Sequence, residues 1–186
     1  MRDSRSTLMI RPRSQHITRG RKKRTVPLSN LRTSEVVRAV VAHPRRLPEL
    51  LNLLEDEDRT VRGRAAATLA RLSESHTGRL VRVVDRLKDG LADESAYVRW
   101  SLSYALGRVG SIYPNKARRL LDGLSSLLVD ENRVVRALAC RALVRIAARK
   151  PQLVRDYFEN SKREMPITVA RSVKKSGLPV SKSGDR

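Results

Sequence analysis

The segment 91-LADESAYVRWSLSYALGRV-109 occurs three times in this chain. Its other copies are 54-LEDEDRTVRGRAAATLARL-72 and 128-LVDENRVVRALACRALVRI-146. They superimpose without a gap, at an offset of 37 residues both times, on the pattern L-x-D-E-x-x-x-V-R-x(6)-L-x-R-[LVI]. A repeat of this length marks a stack of small units, each burying its apolar face against its neighbours.

The second half of each copy reads as an amphipathic helix. Val61, Ala65, Leu69 and Leu72 recur at helical spacing, as do Val98, Leu102, Leu106 and Val109, and then Val135, Ala139, Leu143 and Ile146. Asp58, Ser95 and Asn132 stand just before these helices as N-cap residues. The preceding half is a second helix, with apolar columns Leu47/Val84/Leu121, Leu50/Leu87/Leu124 and Leu54/Leu91/Leu128. Pro114 and Pro151 share a column at its start, where a missing N–H costs little. No alternating strand pattern occurs between 31 and 160, so the fold class is all-α. The hairpins fall near 45–74, 78–111 and 115–149. The segments 33–44 and 151–160 read as half-repeat caps, and 1–30 and 161–186 as extended basic tails without a helical apolar period.

A helical hairpin with Asp in its turn and Val-Arg early in its second helix resembles the HEAT repeat. The likeness spans about 45–150, or 33–160 with the caps. It implies an α-solenoid whose turn Asp and second-helix Arg form a ladder between repeats. Here the residues are Asp56/Arg62, Asp93/Arg99 and Asp130/Arg136, six apart each time. The resemblance further implies that second helices line the concave face, and that the molecule serves as a scaffold or binding surface. The ligand has to be argued from the surface.

That surface is basic. The chain has 40 Lys+Arg against 19 Asp+Glu, a formal charge of +21, and 31 of the basic residues are Arg. Residues 1–30 carry +8 and residues 161–186 carry +5, so the two ends hold most of the excess. Such an excess attracts polyanions, nucleic acid above all. The tail residues Arg19, Arg21, Lys22, Lys23 and Arg24, with Arg171, Lys174 and Lys175, are candidate phosphate contacts. The run 19-RGRKKR-24 also matches a nuclear-localisation patch, though a cytoplasmic or nucleoid-associated placement is expected. The single cysteine, Cys140, excludes an internal disulfide and a multi-cysteine zinc site. No apolar run is long enough for a membrane-spanning helix.

Counting about 100° per residue from Val61 puts the ladder arginines at the edge of the apolar stripe. The column Gly63/Trp100/Ala137 falls at about 200°, Ala67/Tyr104/Arg141 at about 240°, and Arg71/Arg108/Arg145 at about 280°, with Arg64 beyond. Trp100 and Tyr104 therefore sit mid-groove beside an arginine row. Three uses fit: stacking on bases while Arg holds phosphate, gripping a peptide, or covering seams between helices.

Catalytic chemistry finds no foothold. His16, His43 and His76 are scattered, and no phosphate loop or G-x-S-x-G motif occurs. HEAT-like alkylpurine DNA glycosylases need an acid beside an exposed aromatic, and one turn beyond Trp100 stands Tyr104. A repair glycosylase is thus only a minor alternative. The expectation is a non-enzymatic protein without metal or cofactor. It binds RNA in a ribonucleoprotein, or DNA, through Arg64, Arg71, Trp100, Tyr104, Arg108, Arg141, Arg145 and its tails. The alternative is a protein–protein adaptor gripping an acidic partner in the same groove.

Overall fold

A computed structural model describes residues 26–175. In chain order the α-helices are α1 Thr33–Ala42, α2 Leu47–Asn52, α3 Arg59–Ser75, α4 Thr77–Leu80, α5 Val84–Asp89, α6 Ala96–Ile112, α7 Pro114–Ser126, α8 Arg133–Ala147, α9 Pro151–Ser161 and α10 Ile167–Lys175. No strand occurs among the described residues, and the fold is an all-α solenoid of helical hairpins.

Each first helix tightens into a 3₁₀ turn over its last three residues, at Leu53–Glu55, Gly90–Ala92 and Leu127–Val129. The backbone then extends at Asp56, Asp93 and Asp130. The Asp side chain shapes the turn locally: its Oδ1 accepts the N–H two residues on, from Asp58 at 2.9 Å, Ser95 at 2.7 Å and Asn132 at 2.8 Å. Asp58 and Asn132 in turn cap α3 and α8, accepting from Thr60 N–H at 2.7 Å and Val134 N–H at 2.9 Å. Ser95 occupies the same column but makes no side-chain cap bond.

The ladder runs between hairpins. Arg62 and Arg99 are buried, and each Nη1 donates to two carbonyls of its own turn. The rest of each fork crosses to the next hairpin. Arg62 Nε meets Asp93 Oδ2 at 2.8 Å and its Nη2 meets Glu94 at 2.6 Å. Arg99 takes Asp130 through Nε at 2.7 Å and Nη2 at 2.9 Å. This bidentate geometry is what makes a guanidinium tolerable so close to the core. The Arg99 bonds hold the Asp130 carboxyl below the usual range. Arg136 behaves differently. It is exposed, and its Nη1 bonds only the carbonyls of Asp130 and Glu131, at 2.6 and 2.9 Å.

Helices α3, α6, α8 and α10 lie side by side, whereas the first helices touch one another more sparsely. Small residues permit the close row. A Cβ on Gly107 would stand 2.5 Å from the Cβ of Ala142 and 2.7 Å from its Cα. The row of second helices is therefore the tighter, inner layer of the stack. Between the two layers runs one apolar core, including Leu50, Leu69, Leu87, Leu102, Leu106, Leu124 and Leu143.

Both ends depart from the sequence reading. Residues 26–30 belong to the folded body: Leu28 is buried, its N–H donates to Glu49 Oε1 at 2.8 Å, and Arg46 Nη2 bonds Val26 O at 2.6 Å. One apolar residue in a single turn leaves no period to read. At the other end, part of 161–186 is helical. In α10, Val169 and Val173 are fully buried against the stack, and Ser172 Oγ donates to Val144 O at 3.3 Å. A nine-residue helix with two buried valines among basic residues carries too short a stripe to stand out.

Candidate functional site

The inner row exposes its polar side along the columns expected to bind. Their arginines do not all remain free. Arg108 Nε and Nη2 donate to the carbonyls of Ser73 and Glu74, at 2.8 and 2.9 Å, closing the C-terminal end of α3. Arg64 is likewise spent, donating to the Ser29 carbonyl and tying down the N-terminal segment. Arg145 lies over the Tyr104 ring, 4.9 Å from its centroid, and the Tyr104 hydroxyl reaches Glu74 at 3.3 Å. Arg71 and Arg141 are exposed and have no bonded partner among the described residues. Arg171, Lys174 and Lys175 are exposed on α10, in the same row. Arg19, Arg21, Lys22, Lys23 and Arg24 lie outside the described residues.

The aromatic arrangement differs from the expected Trp100/Tyr104 pair. Trp100 is half-buried against the core, and its ring partner is Tyr97, edge-on at 4.9 Å and 85°. Tyr97 is 46% exposed and lies over α3, where a Cβ on Gly63 would stand 2.9 Å from its ring. Gly63 thus makes the seat that Tyr97 fills. Tyr97 is the residue that sequence reasoning missed. Its column, Thr60/Tyr97/Val134, falls at about 260°, between the columns of Tyr104 and Arg108. Carrying the angular count one residue upstream of Val61 would have found it.

The result is a strip on α6, Tyr97–Trp100–Tyr104, flanked by Arg71 on α3 and by Arg141 and Arg145 on α8. Glu74, at the end of α3, is the acid on this strip. Guanidinium groups beside aromatic edges can hold carboxylates or phosphates while the rings cover an apolar spacer. Among the described residues, no helix is long and apolar enough to cross a membrane.

Comparison with known proteins agrees with this architecture. Residues 47–143 match the family of HEAT repeats. No curated protein matches the chain. Among solved structures it is similar to an archaeal HEAT-like repeats protein from Thermococcus onnurineus NA1, with a TM-score of 0.60 and 21% identity, over 76% of this chain and 57% of that one. The chain thus spans little more than half of that protein's length. It is also similar to a computationally designed armadillo repeat protein for modular peptide recognition, with a TM-score of 0.56 and 19% identity over 79% and 68% of the two chains. A designed armadillo repeat protein in complex with the peptide (KR)4 gives a TM-score of 0.54 and 18% identity over 75% and 65%. At these identities the likeness is one of fold.

Proposed function

The chain belongs to the HEAT-repeat family, and from that premise we propose that it is a non-enzymatic binding scaffold whose inner face holds an acidic segment of a protein partner. The observation that carries this reading is the Tyr97–Trp100–Tyr104 strip bordered by Arg71, Arg141 and Arg145. Two of the solved structures of similar fold are described as recognising a peptide. One of those peptides is basic, whereas the inner face here is rich in arginine, so the complementary peptide is acidic. The loss of Arg64 and Arg108 to backbone carbonyls also bears on the choice. It thins the row of cations that would track successive phosphates, and leaves scattered guanidiniums between rings.

Trp100, the only tryptophan, is a built-in reporter. Titration of the full chain with a Glu/Asp-rich peptide should change its fluorescence saturably. Reversing Arg71 and Arg141 to Glu should weaken that binding at least about tenfold, in line with loss of charge-assisted hydrogen bonds. Binding that ignores the reversal would remove the inner face from the account.

A second reading, nucleic-acid binding, is favoured by the net charge of +21. It assigns the contact mainly to the N-terminal arginines and lysines. Affinity for a single-stranded oligonucleotide should then fall with salt at a log–log slope of about −0.7 per phosphate neutralised. It should also collapse when Arg19, Arg21, Lys22, Lys23 and Arg24 become Gln, while the Arg71/Arg141 reversal leaves it nearly intact. The two readings thus respond to opposite sets of substitutions.

A further inference from the structure

The ladder has two unfinished rungs. Arg62 and Arg99 each reach a turn Asp 31 residues ahead, and the corresponding position for Arg136 is Ile167. The Nε and Nη2 of Arg136 meet no carboxylate among the described residues, although its Nη1 is already fixed on its own turn, as in the complete rungs. At the opposite end, Asp56 is a turn carboxylate with no arginine across from it among the described residues. The position 31 before it is Thr25.

The surface beside Arg136 is open for the same reason. The last hairpin is shortened, and α10 packs on α8 with Thr168 Oγ1 2.9 Å from Cys140 Sγ, one turn beyond Arg136. The first turn of α8 is left bare. Val129 and Ile167 are exposed beside it, at 86% and 69%. Arg133, Arg136 and Arg163 are exposed on this edge, with Glu131 and Glu164 as the acids. The turn holding Asp56 is the run 55-EDED-58, the most acidic in the chain. Glu55 is taken by Arg86 and Asp58 caps α3, which leaves the half-buried Asp56 and the exposed Glu57 without a basic partner among the described residues.

We propose that these two edges meet between copies of this chain, head to tail, with Arg136 of one copy taking Asp56 of the next in the bidentate geometry of the Arg99–Asp130 rung. The contact joins two different surfaces, so it does not close on itself in a dimer and can add further copies.

Sedimentation velocity over a concentration series, at an ionic strength that damps the net charge, tests this. The wild-type mass should rise with concentration. Asp56→Asn keeps an acceptor for the Asp58 N–H, and Arg136→Glu changes an exposed side chain; each alone should stay monomeric. Mixed together, the two variants should form a one-to-one complex, since one retains Arg136 and the other Asp56. Cooperative melting of each variant well above the temperature of the run excludes unfolding as the cause. A wild type that stays monomeric throughout, single variants that associate like wild type, or a mixture that fails to pair would each overturn the proposal.

Discussion

Arg99 is the most exacting test of how the stack is held. Its side chain is 10% exposed and that of its partner Asp130 is 7% exposed. Arg99→Met keeps much of the side-chain length but removes two bonds to Asp130 and the bonds to the Asp93 and Glu94 carbonyls. The Asp130 carboxylate would keep only the Asn132 N–H as a bonded partner. Removing one member of a buried ion pair typically destabilises by about 3–5 kcal/mol, chiefly because the other charge is stranded. For a domain of this size each kcal/mol moves the midpoint by about 2–4 °C, so thermal unfolding followed by circular dichroism should drop by about 10 °C. Arg136→Met is the internal control. It removes an arginine of the same column, but an exposed one bonded only to its own turn, and should cost about 1 kcal/mol.

The same pair sets a pH signature. Asp130 titrates below its unfolded value because Arg99 hydrogen-bonds its charged form. Its contribution is therefore fully present above the ordinary carboxylate range and is lost as pH falls through the depressed folded value. The gap between wild type and Arg99→Met should be widest near neutrality and shrink below about pH 4. If Arg99→Met melts alongside Arg136→Met at neutral pH, the rung is not a buried, stabilising contact and the reasoning fails.

Two further outcomes probe the packing. Gly107→Ala should destabilise by about 1–3 kcal/mol, because its Cβ would meet the Ala142 backbone rather than a movable side chain. Gly63→Ala should cost less, since the Tyr97 ring can swing aside; urea unfolding compares the two. Val173→Asp should release α10, read as new proteolytic cleavage between 162 and 175 with the repeats before it protected. Unchanged cleavage would mean that Val173 does not anchor the helix.

The repeats were legible because three copies say the same thing. A column such as Leu69/Leu106/Leu143 is tested three times, and each copy corrects noise in the others. The ends lack that redundancy. Leu28 docks through one side chain and one N–H, and α10 through two valines, so local composition outvoted them. The inner face was legible in outline, since column angles put Tyr104, Arg141 and Arg145 together. Which arginines remained available was not. Arg64 and Arg108 bond to backbone carbonyls, and a sequence shows side chains but not where carbonyls are left unpaired.

That blind spot bears on function. Thirty-one arginines on one small chain invite a phosphate reading for each of them. In the fold the same residue type does four jobs. Arg62 and Arg99 close rungs, Arg108 caps a helix end, Arg64 pins the N-terminal segment, and Arg145 covers a tyrosine. The rungs, the helix cap and the ring contact use what lysine lacks, a planar fork that serves several acceptors or lies flat on a ring; Arg64 makes a single bond. The high arginine count is therefore partly a structural requirement of a stack whose turns and helix ends present carbonyls and carboxylates at every repeat. On the inner face the charge left over for a ligand lies on Arg71, Arg141 and the exposed residues of α10, and that smaller set is where the specificity of a partner in the groove has to be sought.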